Sequence, residues 1–552
     1  MKNLKKLLSF IVVLTIIGML FSCSKDSGVK NMVPKTASMV LLVDGKTLSE
    51  KSGIDNITET KTFQKVLHSL TGKELASFQK FESFFKDSEK SGLNLKSEMV
   101  MFMNASKENE KQAVFLMNIS DVTKFETFIQ TIMKESGDNS KIKEGEGLKY
   151  LLIEEEGSDL PMLVWDKKVA MFFTCDKRES LTIKNAATFY NLKKENTIGS
   201  VDAFDSFYKN KKDISLYIEY GSLMKLINPM YSTIMQTQMN MNMDGTTAEL
   251  HLNFEKGKVI ADIYQHQGKE MEKTVKNYKI MLDKFDTELL KVLPKKSYAN
   301  ISFAFNFNEY YKLMKGIYAA NPMISIDQIE QSAKATLGMS IEEALNTIHG
   351  EMIFNIHDFA VKDIKNPVLE WDNTAVPTIK SVVPMFSALI KMNDSKAYDK
   401  LMALYGGMLT KKGNYYVIND VISESMYLGL ANNILVLTND ESILKNIESG
   451  NVSGGSLFDT EIASNLKKFP TYGFMQFDMN EYPAGVISFL EESTGDDFPF
   501  YKNLLNSYKS VEFRPENSTH SIIELTLKDN SQNSLNVILK SFDDNVDLIS
   551  EK

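Results

Sequence analysis

The residues best suited to binding a metal are three alternating methionines in the stretch MNMNMDG. If this stretch is a β-strand, the thioethers of Met239, Met241 and Met243 lie on one face, where soft sulfur ligands suit Cu(I). Methionine also fills irregular cores. Since the chain contains 30 methionines and Asn240 and Asn242 would take the opposite face, we interpret the stretch as a half-buried strand without a metal.

No other group of residues has the spacing that catalysis or metal binding requires. His349 and His357 would lie about 26 Å apart along a strand, too far to share a metal ion. The acidic clusters that begin at Glu154 and Phe542 match no calcium-binding loop, and we interpret them as solvated turns or tails. The sequence contains no GxGxxG, GxxxxGKS or GxSxG motif. We therefore predict no catalytic residues, no metal ligands and no cofactor.

The start of the chain has the pattern of an export signal. Three lysines lie within the first six residues, and an apolar run from Leu7 to Phe21 follows, which is short for a bilayer span. Cys23 comes almost directly after this run. The pattern predicts a signal peptide over residues 1–22. The alternative is a retained N-terminal anchor helix in which the cysteine has no role.

Cys23 and the residues before it resemble the lipobox of bacterial lipoproteins, although Phe21 is bulkier than the usual residue at its position. The resemblance implies that the Cys23 thiol takes a diacylglyceryl group and becomes the new N-terminus, with residues 23–32 as a lipidated tether to the bilayer. Several acyl chains hold a protein on a membrane. Ser24 stands where an aspartate would imply retention at the inner membrane, so the resemblance implies anchorage in the outer membrane, in either leaflet.

Charge and cysteine content narrow the possible partners. The chain carries 63 Lys and Arg against 72 Asp and Glu, a net charge of −9, and it has no dense basic stripe. It therefore lacks the electrostatic pattern of a protein that binds nucleic acid. With Cys23 lipidated, Cys175 has no cysteine left to form a disulfide with.

Five segments in the first half of the chain recur in the same order in the second half. Their spacing is nearly constant, which is the pattern of an internal duplication. We predict two similar halves over residues 33–270 and 293–552. The matching segments begin at Val33 and Leu293, Ser97 and Gly350, Ser120 and Asn393, Pro161 and Met426, and Asp213 and Tyr472.

Each half alternates between strand and helix patterns. Strand-like runs come in pairs separated by short turns, and a helix pattern with Phe125, Phe128 and Ile129 on one side follows the first pair. Hairpins followed by helices indicate antiparallel sheets with helices packed on one face, so we predict an α+β fold. The paired runs are EMVMFMNA with KQAVFLMNI, PMLVW with VAMFFT, and TAELHLNFE with KVIADIYQ.

Several helix boundaries are marked in the sequence. The segment from Ile326 to Leu337 is followed by Gly338, and Ser340 with Glu343 has the spacing of a capping box, which predicts a further helix through Ile348. A similar pair of helices is predicted on either side of Gly72. Residues 271–292 have the pattern of one long amphipathic helix, which we predict to connect the two halves.

The chain resembles a family of envelope lipoproteins of the Bacteroidota that is described only as a domain of unknown function. The resemblance is carried by the length of the chain and by the stretch VPKTASMVLLVDGKTLSEKSG shortly after Cys23. The resemblance implies an envelope lipoprotein and agrees with lipidation at Cys23. It rests on a pattern of packing and turns, so it implies no catalytic residue.

Duplication, anchorage and the lack of catalytic motifs favour a binding or scaffolding lipoprotein, whose partner is an envelope protein, a glycan or a peptide. The alternative is a carrier or chaperone for an apolar ligand, with the many Phe and Met side chains lining a pocket. A hydrolase that uses scattered carboxylates has no paired motif to support it. An insertion over residues 362–381 is expected to be a recognition loop rather than a disordered excursion.

Overall fold

The computed structural model describes residues 28–548, except for 55–56, 70–87, 106–110, 137–139, 154–160, 176–178, 228–229, 231–232, 234, 236–240, 320–324, 367–375 and 422–423. The chain divides into two compact units. The first contains the described residues up to 233, 242–269 and those from 529 onward, and the second contains 270–528 with a short segment near 241.

The described residues of the first unit contain ten strands, all in antiparallel pairs. They are β1 (Met39–Asp44), β2 (Glu98–Ala105), β3 (Lys111–Asn118), β4 (Lys143–Gly145), β5 (Leu148–Leu152), β6 (Met162–Trp165), β7 (Val169–Cys175), β8 (Ile214–Glu219), β9 (Thr247–Glu255) and β10 (Lys258–His266). They pair in the order β4, β5, β6, β7, β3, β2, β1, β8, β9, β10. The three predicted hairpins are therefore confirmed.

The helices of the first unit cover both faces of its sheet, whereas one face was predicted. They are α1 (Gly45–Ser52), α2 (Lys61–Ser69), α3 (Val122–Ser136), α4 (Glu179–Tyr190), α5 (Asp202–Lys209) and α6 (Tyr220–Ile227). Phe189 of α4 and Phe204 of α5 pack with Phe102 on one face. Phe125 of α3 packs with Trp165 on the other. All four residues of β6 are buried, although successive side chains point to opposite faces of the sheet, so both faces are covered there.

The described residues of the second unit also contain ten antiparallel strands. They are β11 (Ala299–Ala304), β12 (Ile348–Lys365), β13 (Thr378–Met392), β14 (Thr410–Lys412), β15 (Tyr415–Val421), β16 (Glu424–Ala431), β17 (Ile434–Thr438), β18 (Thr471–Gln476), β19 (Tyr508–Pro515) and β20 (His520–Leu527). They pair in the order β14, β15, β16, β17, β13, β12, β11, β18, β19, β20. Strand for strand, this is the pairing order of the first unit.

The remaining helices are α7 (Lys269–Val275), α8 (Phe307–Tyr318), α9 (Ile326–Leu337), α10 (Ile341–Leu345), α11 (Lys396–Tyr405), α12 (Glu441–Ser449), α13 (Glu461–Leu466), α14 (Ala484–Thr494), α15 (Phe498–Leu505) and α16 (Ser534–Asn545). Ile443 of α12 and Ile462 of α13 pack with Ile353 and Leu389 in the core of the second unit.

Helix α16 belongs to the first unit, which differs from the predicted boundary of 293–552. The side-chain amide of Asn536 donates to the carbonyl of Ser52 at 2.6 Å, and that of Asn533 donates to the carbonyl of Phe254 at 2.8 Å. The first unit therefore consists of segments that are far apart in the sequence.

The fold is a mixture of helices and antiparallel sheet, as predicted for the α+β class. Two predicted helix boundaries are confirmed. Gly338 follows α9 in the left-handed conformation, and Ser340 forms a complete capping box with Glu343 at the start of α10. Helix α10 ends at Leu345 rather than at Ile348, because β12 begins there. Gly72 lies outside the described residues.

The prediction of one long helix over residues 271–292 is wrong. Helix α7 ends at Val275, and the next helical turn is a short 3₁₀ helix over Thr287–Val292. Between them the chain is not helical: the amide of Leu282 donates to the carbonyl of Ala304 at 3.0 Å, and the carbonyl of Ile280 accepts from the amide of Asn306 at 2.6 Å. Pairing with the end of β11 overrides the local helix pattern.

The insertion over residues 362–381 is not simply a loop. Its two ends lengthen the hairpin of β12 and β13, with Lys362 opposite Ser381 and Lys365 opposite Thr378. Residues 367–375 lie outside the described residues. None of the helices in the described part of the chain is long and apolar enough to cross a membrane.

Candidate functional site

One face of the second unit's sheet is covered by helices and forms the core. Ala304, Ile353, Leu389, Val436 and Tyr472 lie on this face, on five neighbouring strands, and all five are buried. The 3₁₀ helix Thr287–Val292 packs against them together with α12 and α13. This face is therefore not accessible to a partner.

The opposite face carries an unbroken apolar row across nine strands. Paired residues of neighbouring strands share a face, so the strand register places these residues side by side, with Gly473 contributing only backbone. From one edge to the other the row is Tyr416, Leu428, Leu437, Ala388, Phe354, Ile301, Gly473, Phe513 and Ile523. At the usual strand spacing, nine strands span about 40 Å.

Five apolar side chains on this face are more than a third exposed. Ile301 is 54% exposed, Met475 45% and Phe354 41%, and the ring of Phe354 stacks on Phe386 with centroids 5.7 Å apart. Phe513 and Ile523 are 36% and 37% exposed. We call Ile301, Phe354, Met475, Phe513 and Ile523 the open face. A contiguous apolar surface of this kind marks an interaction site in soluble domains.

The equivalent row of the first unit is better covered. It consists of Leu151, Leu163, Phe172, Phe115, Met101, Leu41, Leu216, Leu250 and Ile263, and none of these side chains reaches the exposure of those on the open face. Helix α3 packs on Leu151 and Leu163, and Leu535 of α16 packs near Leu41 and Phe115.

A serine, a histidine and a glutamate meet inside the first unit, which the sequence pattern did not predict. Ser215 on β8 is the register partner of His251 on β9, and Ser215 Oγ lies 3.0 Å from His251 Nδ1. His251 Nε2 lies 3.3 Å from a carboxylate oxygen of Glu249. Register between strands creates this contact, and no spacing along the sequence signals it.

This group has the residue types of a hydrolase triad but not its geometry. In such a triad the serine faces Nε2 and the acid faces Nδ1, the reverse of the arrangement of Ser215 and Glu249 around His251. Ser215 is fully buried, and its Oγ also accepts the amide N–H of Lys212 at 2.9 Å. A substrate carbonyl cannot approach this hydroxyl, so the group is structural.

A cavity of about 470 Å³ in the first unit is lined largely by polar side chains. Lys30 Nζ and Lys211 Nζ each lie 4.1 Å from the centre of the Tyr208 ring, and burial raises the pKa of Tyr208 to about 12. The lining residues are Lys30, Asn31, Lys194, Glu195, Thr197, Gly199, Ser200, Phe204, Asp205 and Tyr208. A cavity of mixed charge does not suit a purely apolar ligand.

The residues considered from the sequence do not come together into one site. Cys23, Met239 and Glu154 lie outside the described residues. Met241 and Met243 are described but lie outside any strand, so the strand interpretation is wrong for them. Within the described ranges there is no group of three or more His, Cys, Asp or Glu residues that could hold a metal ion.

The acidic cluster at Phe542 has a structural role that the sequence did not reveal. Asp543 of α16 accepts the backbone N–H groups of Lys61 and Thr62 at 3.1 and 2.7 Å, at the start of α2. A carboxylate in this position satisfies free amides and interacts favourably with the helix dipole. Asp543 is therefore a helix cap supplied by another helix, rather than part of a solvated tail.

Comparison with known proteins gives a family but no activity. A family model described as Domain of unknown function (DUF4836) matches residues 29–535. No curated protein matches the chain. A solved structure titled "Structure of crystal form I of TP0453" is similar with 11% identity over 48% of this chain and 90% of that chain, with a TM-score of 0.22, which is too low to support an argument about the fold.

Proposed function

Because the chain belongs to the family described as Domain of unknown function (DUF4836), a description that names no activity, we propose its function from the surfaces of its two units. The protein is a membrane-anchored lipoprotein of the cell envelope that acts as a non-catalytic binding or scaffolding module. Its partner is an envelope protein or peptide, which it holds on the open face of the second unit.

The open face is the observation that carries this proposal. Ile301 and Phe354 are directly paired neighbours in the sheet and are both more than a third exposed. Leaving such side chains in water costs about 25 cal/mol for each Å² of apolar surface. A partner that covers the open face removes this cost.

The shape of the open face favours a protein partner over the other ligands considered. Pockets for small molecules enclose most of the ligand surface, whereas the open face is a broad sheet surface. A glycan needs hydrogen-bonding groups beside aromatic rings, and none of the five side chains of the open face carries a hydroxyl, amide or charged group. The carrier for an apolar ligand is the second candidate function, because a long acyl chain also fits an apolar surface.

Anchorage through Cys23 is part of the proposal. Gly28–Met32 forms a 3₁₀ helix, and Val29 and Val33 are fully buried in the core of the first unit. The segment between a lipid on Cys23 and this fixed point would reach at most about 17 Å. The first unit would then lie close to the bilayer, which we propose to be the outer membrane.

We further propose that the two units arose by duplication. Supporting this, each unit has the same strand order, and the recurring segments occupy equivalent elements. Val33 and Leu293 precede β1 and β11, and Ser120 and Asn393 precede α3 and α11. Ser97 directly precedes β2, and Gly350 lies near the start of β12. Asp213 directly precedes β8, and Tyr472 lies near the start of β18. The two units would then have diverged in exposure, because the apolar row is covered in the first unit and more than a third exposed at the open face of the second.

The test is site-specific photocrosslinking in cells of the source organism. A crosslinking residue replaces Ile301 in the full chain, and a second protein carries it in place of Asn517, an exposed polar residue in the turn between β19 and β20. We expect an adduct of one defined mass at position 301 and none at 517. The additional change Phe354→Glu should remove the adduct at 301, because it places a charge in the centre of the open face.

Three outcomes count against the proposal. Adducts of the same mass at positions 301 and 517 would indicate non-specific contact, and an adduct that survives Phe354→Glu would show that the open face is not the binding surface. A lipid adduct at 301, with a stoichiometric lipid in extracts of the purified protein, would support the carrier in place of the scaffold. Mass spectrometry of Cys23 in the same sample tests the anchor separately.

A further inference from the structure

Helix α11 exposes an apolar stripe that its own fold does not use. Leu401, Leu404, Tyr405 and Met408 follow one another at the spacing of a single helix face, with the last on the 3₁₀ turn Gly406–Met408. Their side chains are 39%, 45%, 47% and 82% exposed. We call these four residues the apolar stripe.

Two contacts near the start of α11 connect it to the rest of the second unit. The hydroxyl of Tyr398 is buried, and this burial raises the pKa of Tyr398 to about 12. Lys400 Nζ donates to the carbonyl of Gly338 at the end of α9, at 2.6 Å. These contacts do not involve the side chains of the apolar stripe, which stay exposed.

The helix at the equivalent position of the first unit does not have such a stripe. Helix α3 also follows the third strand of its sheet, but its apolar residues Phe125, Phe128, Ile129 and Ile132 are all buried. Exposure of the stripe is thus a specific property of α11, and not a consequence of its place in the fold.

The segment that carries the stripe has only positive charges, although Asp399 directly precedes it and the whole chain is acidic. No Asp or Glu occurs from Lys400 through Gly413, and this stretch contains Lys400, Lys411 and Lys412. Lys411 is exposed on β14, while Lys412 pairs with Glu441 at 2.9 Å. Leucine, methionine and tyrosine with lysines at the rim are the composition of a helix that lies in the headgroup region of a bilayer.

We propose that the apolar stripe of α11 docks onto the surface of the lipid bilayer, with Leu404 and Met408 inserted below the headgroups and Lys411 among the phosphates. The proposal rests on the anchorage proposed above, because a chain tethered to a membrane meets the bilayer at high effective concentration. A weak apolar contact then suffices to orient the second unit on the membrane.

The test places a fluorophore on the stripe of the full chain. Met408→Cys is labelled with an environment-sensitive dye in a Cys175→Ala background, and the protein is reconstituted in vesicles of phosphatidylethanolamine and phosphatidylglycerol that contain a lipid-borne quencher. The matched control is Met230→Cys, since Met230 is also a highly exposed methionine, at 70%. We expect quenching at position 408 to be several-fold stronger than at 230.

A second variant tests the stripe as a unit. Leu404→Glu should reduce quenching at position 408 about tenfold, because a charge in the apolar boundary opposes insertion, whereas Leu404→Ile should retain it. Equal quenching at 408 and 230 overturns the proposal. A blue shift of the dye without lipid quenching also overturns it, in favour of a protein partner on the stripe.

The mass of Cys23 is measured on the same sample, so the two proposals fail independently. Lipid on Cys23 without quenching at 408 refutes the stripe alone. An unmodified Cys23 refutes the anchor; the stripe is then tested in a Cys23→Ser, Cys175→Ala background, where quenching at 408 supports it and equal quenching at 408 and 230 overturns it.

Discussion

His357 Nε2 lies 3.0 Å from Oδ2 of Asp440 and so joins β12 to the start of α12. Asp440 also accepts the amide N–H of Ser442 at 2.9 Å as the N-cap of α12. Burial alone would raise the pKa of Asp440, but the hydrogen bonds from His357 and Ser442 hold it at about 2. The carboxylate is therefore stabilised in its charged form by the fold.

This pKa predicts a pH-dependent stability. A carboxyl group whose pKa is lower in the folded chain stabilises the fold at pH values above its unfolded pKa of about 4, and the contribution disappears as the pH falls toward 2. An asparagine at this position keeps a capping oxygen but not the charge. Asp440→Asn should therefore lower the free energy of unfolding by about 1–2 kcal/mol at pH 7. Thermal melts of both proteins from pH 7 to pH 2 should converge between pH 4 and pH 2. Asp283→Asn, an exposed control in a surface pair, should change little, and a constant difference at all pH values would contradict the assignment.

Asp543 should matter to the first unit through α2. Asp543→Ala removes the acceptor for the amides of Lys61 and Thr62 and should lower the stability by about 1 kcal/mol. Hydrogen exchange should accelerate at these two amides. The control is Asp547→Ala, in the same acidic cluster, where the side chain is exposed. Equal effects of both variants would indicate a general charge effect instead of a cap.

Ser215 should be inert as a nucleophile. A fluorophosphonate probe should label neither the wild-type chain nor Ser215→Ala, because the hydroxyl is buried. Ser215→Ala should nevertheless destabilise the protein by about 1–3 kcal/mol, since His251 and the amide of Lys212 lose a buried partner. Labelling that disappears in the variant would instead identify a reactive serine.

Gly350 should not tolerate a side chain. Its φ of 131° is unfavourable for other residues, and a Cβ atom would lie 2.4 Å from the carbonyl oxygen of Phe305. We expect Gly350→Ala to lower the free energy of unfolding, measured by chemical denaturation, by at least about 2 kcal/mol. Gly485 lies in α14, and a Cβ atom added there would meet no atom within 4 Å, so Gly485→Ala should stabilise by up to about 1 kcal/mol.

The same substitution at two adjacent residues of β12 should affect stability very differently. Ile353 is 2% exposed in the core, whereas Phe354 is 41% exposed on the open face. Ile353→Glu should prevent folding, because it buries an unpaired charge. Phe354→Glu should leave the melting temperature within a few degrees and increase solubility. A comparable loss of stability in both variants would mean that the open face is part of the core.

The sequence predicted local features well because local chemistry determines them. Asp166 closes the turn between β6 and β7 by accepting the amide of Val169 at 2.7 Å, and the capping box of Ser340 with Glu343 begins α10. Gly338 ends α9. Each of these depends on residues a few positions apart, which can be identified in a sequence.

Contacts between distant segments could not be predicted in this way. The pairing of Leu282 with the end of β11 replaced a helix that the periodicity favoured. The meeting of Ser215 with His251 depends on the register of β8 with β9, and the open face depends on which helices cover which side of a sheet. The alternation of Ile353 and Phe354 is visible in the sequence, but only the packing tells which side stays uncovered.

The position of α16 has a consequence for how the protein is made. The first unit is completed by Asn533, Asn536 and Asp543, which the ribosome adds only after the whole second unit has been synthesised. A nascent first unit therefore lacks its closing helix until that stage. Under the export proposed above, delayed closure of this kind would suit a chain that crosses a membrane before it folds.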